Sequence, residues 1–190
     1  MYKKKEIYTT SNLLSFIRLL MAIPFWILIG NLYEPGMRYV VAGLAVVGAI
    51  TDVLDGYLAR KLNQLTEVGK IIDPLADKIA IGAIVIRLFM IGEIPVYYFY
   101  LIIGRDLLIF IGGIFVSKKL GRVLPSNMLG KISVAVIGLV LLFIVLNVDR
   151  QFFIFQIFYF GSIILIFISF FAYVYRAVEY IKKENYGTVR

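Results

Sequence analysis

Four aspartates between Asp52 and Asp77 fall into two pairs, Asp52 with Asp55 and Asp73 with Asp77. Spacings of three and four put both carboxylates of a pair on one face of a helix. The chain has twelve acidic residues in all, so a third of them occupy this one stretch. Four like charges so gathered repel one another, and a divalent cation is the natural relief. There is no cysteine and no histidine in the sequence. Disulfides and thiolate metal sites are thereby excluded, and a metal must be held by oxygen, which suits hard ions such as magnesium, manganese or calcium. A general base must also be sought among the carboxylates.

Small residues and one cation lie among the acids. Gly56 follows Asp55, Ala59 comes one residue before Arg60, and Gly69 precedes the second pair. Small residues let a ligand approach the backbone, and the planar guanidinium of Arg60 matches phosphate oxygens. Carboxylates, a divalent metal, small residues and one arginine together describe a site for a diphosphate, in which metals bridge phosphate oxygens and stabilise the leaving group.

The elements that must position these residues are helices in a membrane. Of 190 residues, 61% are hydrophobic and 17% charged, with a mean hydropathy of +0.90. A soluble domain carries about 45–50% apolar and about a quarter charged residues. A span needs about 20 apolar residues, and six candidates occur, at about 13–31, 38–58, 71–92, 95–118, 128–148 and 152–175. The expectation is an all-α polytopic membrane protein of six transmembrane helices. It would comprise a basic arm over 1–11 that could form a juxtamembrane helix, a compact six-helix domain over 12–180 and a basic tail over 181–190. The first apolar run is long, contains Arg18 and lacks a small-residue cleavage site, which argues against a signal peptide.

The net charge of +8 is spread for topology, not for nucleic acid. Loop Lys and Arg gather in the N-terminal arm, 59–70, 118–127 and the C-terminal tail; the alternate connections carry Glu34, Glu93 and Asp149 with Arg150. Both termini and the aspartate cluster therefore face the cytoplasm, with the protein in the cell (inner) membrane. Asp52 and Asp55 close the second helix, Asp73 and Asp77 open the third, and Pro74 suits a first-turn position.

Written as spacing, the stretch is Asp-x2-Asp-Gly-x2-Ala-Arg-x8-Gly-x3-Asp-x3-Asp, which resembles the CDP-alcohol phosphatidyltransferase family. All eight defining positions match, as Asp52, Asp55, Gly56, Ala59, Arg60, Gly69, Asp73 and Asp77. The six spans and the opening Ser11-Asn12-Leu13-Leu14-Ser15 are similar to the family too. The resemblance implies transfer of a phosphatidyl group from CDP-diacylglycerol to an alcohol, with release of CMP. It further implies that the four aspartates hold one or two Mg2+ or Mn2+ ions and that Asp77 doubles as the base. Gly56, Ala59, Arg60, Gly69 and Thr66 would contact the CDP moiety, and Asn12 and Ser15 would close that pocket. A homodimer is implied as well, and Gly112, Gly113 and Gly161 permit close helix approach.

The acceptor must be read elsewhere. Arg105 and Asp106 interrupt the fourth apolar run, and Lys131 follows Gly130 near the start of the fifth. Ionisable residues inside a span are functional candidates. Arg105 and Lys131 can form a basic pocket for a phosphate on the acceptor, with Ser126 a weaker loop contribution; the competing reading is that Arg105 pairs with Asp106. Arg18, Lys78 and Arg87 read as structural. Within the family, Asp73-Pro74-Leu75-Ala76-Asp77-Lys78 and Leu129-Gly130-Lys131 look most like members whose acceptor is glycerol 3-phosphate. Two positions depart from them: Asp106 stands where they usually have Glu, and Gly113 where they tend to have Arg. Gly104-Arg105-Asp106 is similar instead to members that use phosphatidylglycerol. Outside the family, a prenyltransferase is disfavoured by the six spans, and a divalent-cation transporter or channel by acids at the membrane edge, not its midplane.

Overall fold

A computed structural model describes residues 10–61, 69–120 and 128–187, with side chains described over 19–51, 78–117 and 128–182. The described residues form six α-helices and no strand. These are α1 (Thr10–Gly30), α2 (Met37–Lys61), α3 (Gly69–Met90), α4 (Val96–Leu120), α5 (Met128–Val145) and α6 (Phe153–Gly187). Helices are what such a composition dictates, because a backbone in hydrocarbon must satisfy its polar groups within its own segment. Among the described residues, three helices are long and apolar enough to cross a membrane: Val96–Ser117, Met128–Val145 and Phe153–Lys182. Leu19–Gly30 and Met37–Thr51 are shorter apolar stretches. Large side chains such as Phe115, Phe153 and Phe171 point outward, each more than 60% exposed. Outward phenylalanines on spanning helices are lipid contacts, not a folding defect.

Several helix ends lie further out than hydropathy places them. Charge and polarity end an apolar run but not a helix, so α2 continues through Ala59 and Arg60 to Lys61, and α6 through 181–187, a stretch set apart above as tail. α3 begins at Gly69, so Pro74 is its sixth residue and lies beyond the first turn. Residues 1–9 of the basic arm, Thr66 and Ser126 lie outside the described residues.

The chain divides into two compact units. Unit 1 comprises residues 1–94 with Val145–Asn147. In it α1 packs most extensively on α3 and also on α2, burying Phe25, Ile29, Leu32, Val41, Val85 and Leu88. Its connections are fixed by polar contacts. Arg38, at the start of α2, donates to Glu93 Oε1 at 2.6 Å and to the carbonyl of Val145, the last residue of α5, at 3.1 Å. The guanidinium also lies 5.6 Å over the ring of Tyr33, whose hydroxyl donates to the Ile91 carbonyl at 3.1 Å. The end of α3 is a Schellman motif: Glu93 N–H reaches Leu88 O, Gly92 N–H reaches Phe89 O, and Gly92 takes φ +79°, where glycine carries no Cβ penalty. Asn147, φ 56°, terminates α5 in the same way, with Val148 N–H on Phe143 O. Arg87 lies 5.3 Å over the ring of Trp26 and fills the space beside Gly30, a structural placement.

Unit 2 comprises Pro95–Ile144 and Val148–Arg190. Its main seam is α4 on α6. Tyr98 meets Ser162, Arg105 meets Ser169, Gly113 meets Tyr173, and Val116 clusters with Ala177. Both numbers rise together, so the two helices run parallel, as alternate members of an up-and-down bundle must. Phe143 of α5 packs edge-on against Phe158 of α6.

Glu93 is nearly buried and holds Arg38, and removing one partner of such a pair strands the other charge. Glu93→Ala is therefore expected to destabilise the detergent-solubilised protein by about 3 kcal/mol, read as a lower melting temperature.

Candidate active site in the helical bundle

The two acid pairs sit on helical backbone. Asp52 and Asp55 fall in the last turns of α2, with Gly56, Ala59 and Arg60 following on the same helix. Asp73 and Asp77 are the fifth and ninth residues of α3, which Gly69 begins. Positions 52 and 55, and positions 73 and 77, are thus each one turn apart. Asn12 and Ser15 fall in the first turns of α1. The helices that carry all of these residues belong to unit 1, and their side chains lie outside the described set. The donor set fits a hard divalent cation, being four carboxylates in a chain without histidine or cysteine.

Unit 2 holds the other set of candidates. Arg105 is the tenth residue of the span Val96–Ser117, so it lies about 14 Å along the helix from the nearer end. The residue is buried, at 8% exposure. Nη1 donates to Asp106 Oδ1 at 2.5 Å, and Nη2 donates to Ser169 Oγ at 3.1 Å. The Ser169 hydroxyl hydrogen is committed to the Ile166 carbonyl at 3.0 Å, so its lone pair is what faces Arg105. Gly130 stands against the same guanidinium, with Nη2 3.5 Å from where a Cβ would lie. Lys131 is the next residue and is exposed. Arg105 and Gly130 are therefore together, and Arg105 does pair with Asp106, leaving Nε buried without a partner.

Ser169 was not singled out by the sequence, because one serine among Ile, Phe and Tyr has no distinguishing spacing. The only available signal was its seven-residue separation from Ser162, matching that of Tyr98 and Arg105 on α4. A groove of about 630 Å³ along α6, lined by Leu129, Phe167, Phe171 and Tyr175 with Arg176 at its edge, is almost wholly apolar. The buried polar side chains of unit 2 gather in the α4–α6 seam, not along that groove.

The chain belongs to the CDP-alcohol phosphatidyltransferases, whose family model matches residues 8–175. It is similar to a CDP-diacylglycerol–glycerol-3-phosphate 3-phosphatidyltransferase of Aquifex aeolicus (strain VF5), at 37% identity over 181 residues, 91% of this chain and 98% of that protein. A Bacillus subtilis (strain 168) protein of the same name is 37% identical over 123 residues, 63% of each chain. A probable phosphatidylglycerophosphate synthase of Mycobacterium tuberculosis (strain ATCC 25618 / H37Rv) is 32% identical over 131 residues, 68% of this chain and 62% of that protein.

Space around Arg105 gives a direct test. Gly130→Ala places a Cβ in ordinary contact with the guanidinium and is expected to melt like the parent. Gly130→Leu overfills the same space at a cost of about 1–3 kcal/mol and is expected to melt earlier in a detergent thermal-shift measurement.

Proposed function

We propose that this chain transfers the phosphatidyl group of CDP-diacylglycerol to glycerol 3-phosphate, giving phosphatidylglycerophosphate and CMP. The observation that carries this reading is the likeness along 91% of the chain to a relative named for that reaction. All eight family positions between Asp52 and Asp77 support it.

In this reading Asp52, Asp55, Asp73 and Asp77 hold Mg2+ or Mn2+, as one or two ions. A divalent ion bound there neutralises pyrophosphate charge and eases departure of CMP. Gly56 and Ala59 leave room for the nucleotide, Arg60 binds phosphate oxygen, and Gly69, Thr66, Asn12 and Ser15 complete the CDP pocket. The acceptor hydroxyl oxygen bonds to the phosphorus carrying diacylglycerol, the P–O bond to CMP breaks, and the hydroxyl proton passes to Asp77. Arg105 and Lys131, with Ser126, bind the acceptor phosphate.

The same reading has six spans, both termini and the aspartates on the cytoplasmic side of the inner membrane, and a homodimer. Loop Lys and Arg support the orientation. The alternation of spans is supported by Arg38, which ties the start of α2 to the connection after α3 and to the end of α5. Of the glycines named for close helix approach, Gly161 has open space at its Cβ position, as do Gly104 and Gly138, whereas Gly112 and Gly113 already face Tyr173 of the same chain.

An acceptor panel tests the assignment. Purified protein with CDP-diacylglycerol is offered glycerol 3-phosphate, phosphatidylglycerol, inositol phosphate or serine, and the lipid product is scored. Phosphatidylglycerophosphate formed with Mg2+ or Mn2+, and lost on chelation, is the expected result; cardiolipin formed from phosphatidylglycerol alone reassigns the acceptor. Asp77→Asn is expected to lower kcat by about 10²–10⁴-fold while CDP-diacylglycerol still binds. Unchanged turnover in that variant rules out Asp77 as the base.

A further inference from the structure

The buried side-chain atoms without a hydrogen-bond partner among the described residues are Arg87 Nε, Arg105 Nε, Ser133 Oγ and Tyr173 Oη. All four are sealed from the surface. Arg176 of α6 is different, because its unpaired charge can be reached. It is half-buried at the edge of the apolar groove, and among the described residues it makes no hydrogen bond and no ion pair. Glu179, three residues on, has an interaction of its own and is not its counterion. A cation inside an apolar span is costly unless something pairs with it.

The groove has the depth of one lipid leaflet. Phe167, Phe171 and Tyr175 recur every four residues and so form one stripe of α6; Ala172 and Arg176 stand beside it, and Leu129 contributes from α5. From Phe167 to Arg176 is nine residues, about 14 Å of helix, or roughly half of a hydrocarbon core about 30 Å thick. The span Phe153–Lys182 has 30 residues, about 45 Å of helix, so its ends pass beyond the core. Arg176 lies about 9 Å inside the Lys182 end. For a span centred in the bilayer, that puts Arg176 close to the edge of the core and Phe167 near the midplane. One charge at headgroup level, with an apolar channel running inward from it, matches a phosphate above an acyl chain.

We infer that this groove holds one anionic phospholipid of the surrounding bilayer, its phosphate on the Arg176 guanidinium and one acyl chain against Phe167, Phe171 and Tyr175. The planar fork of a guanidinium matches phosphate oxygens, and the arginine stem can lie on the apolar wall while its head reaches the interface. An inorganic anion would satisfy the charge but would not fill a channel of about 630 Å³. A second copy docking by the same face, about a twofold axis along the bilayer normal, would set the two Arg176 residues at one depth with like charges facing. Lipid contact alone does not discriminate between headgroups. A phosphate on Arg176 makes this position selective for lipids whose phosphate is not offset by a headgroup cation. The bound lipid is not a reactant: none of the groove residues is among the donor or acceptor contacts proposed above.

Native mass spectrometry of the detergent-solubilised full chain, titrated with phosphatidic acid, phosphatidylcholine or CDP-diacylglycerol, tests this without turnover. Phosphatidic acid is the probe because it bears the phosphate alone and is neither donor, acceptor nor product of the proposed reaction. The first phosphatidic acid is expected to bind roughly tenfold more tightly than the first phosphatidylcholine, the equivalent of one charge-assisted hydrogen bond. Arg176→Gln should remove that preference, and Arg176→Lys should keep part of it. Ala172→Leu, which narrows the groove, should weaken phosphatidic acid binding with the charge still in place. Lys182→Gln, at an exposed lysine of the same helix outside the groove, should leave the preference unchanged. Equal affinity for phosphatidic acid and phosphatidylcholine in wild type overturns the proposal, as does a preference that survives Arg176→Gln or falls equally with Lys182→Gln. Retention of CDP-diacylglycerol alone assigns the groove to substrate and overturns it too. So does a changed oligomeric state in Ala172→Leu with lipid binding intact, which would make the groove a contact between copies.

Discussion

A charge or a hydrogen-bonding group in hydrocarbon persists only when the protein supplies its partner. The α4–α6 seam is organised by that constraint. Arg105 sits deep in its span with Asp106 as an adjacent counterion and Ser169 as a second acceptor. A desolvated arginine without them would cost several kcal/mol. Ser169 can accept because its own hydrogen is already placed on Ile166. The glycine at 130 is part of the same arrangement, since any side chain larger than alanine would crowd the guanidinium.

The same requirement explains the connections in unit 1. Glycine at 92 and asparagine at 147 supply positive φ at helix ends, so that terminal carbonyls are satisfied locally. Arg38 then takes one more terminal carbonyl, that of Val145, together with the carboxylate of Glu93. Three segments far apart in sequence are tied by one guanidinium, which has enough donors in a fixed plane to do so. Lysine, a point charge on a flexible stem, would not replace it.

Much of this was legible in the sequence, for reasons that can be assigned residue by residue. Hydropathy found the helices because spans must be long and apolar. It misplaced their ends because a helix does not stop where the hydrocarbon does: Lys61 still belongs to α2, and α6 reaches Gly187. The aspartate pairs were visible because acid is rare here and their spacing is helical. Arg105 was visible for the same reason, and its pairing with Asp106 was one of the two readings it allowed. The Arg38–Glu93 pair was hidden, since 55 residues separate its members and each alone reads as an interface charge. Ser133, Ser169 and Tyr173 were hidden because serine and tyrosine are common in apolar helices, and only three-dimensional accounting reveals which hydroxyls are unpaired.

The counterion arrangement also bears on how an anion could be drawn to such a place. An Arg105–Asp106 pair is electrically neutral, which makes it tolerable in hydrocarbon but gives an incoming phosphate little net attraction. Asp106 repels the same anion that Arg105 would bind. The excess positive charge must then come from a residue that stays solvated until the ligand arrives, because a second buried cation would restore the original desolvation cost. In the proposed acceptor pocket Lys131 would meet that requirement, being exposed and next to the glycine that stands against Arg105. Under the proposed function, a fixed, internally neutralised arginine would supply geometry and an exposed lysine would supply charge.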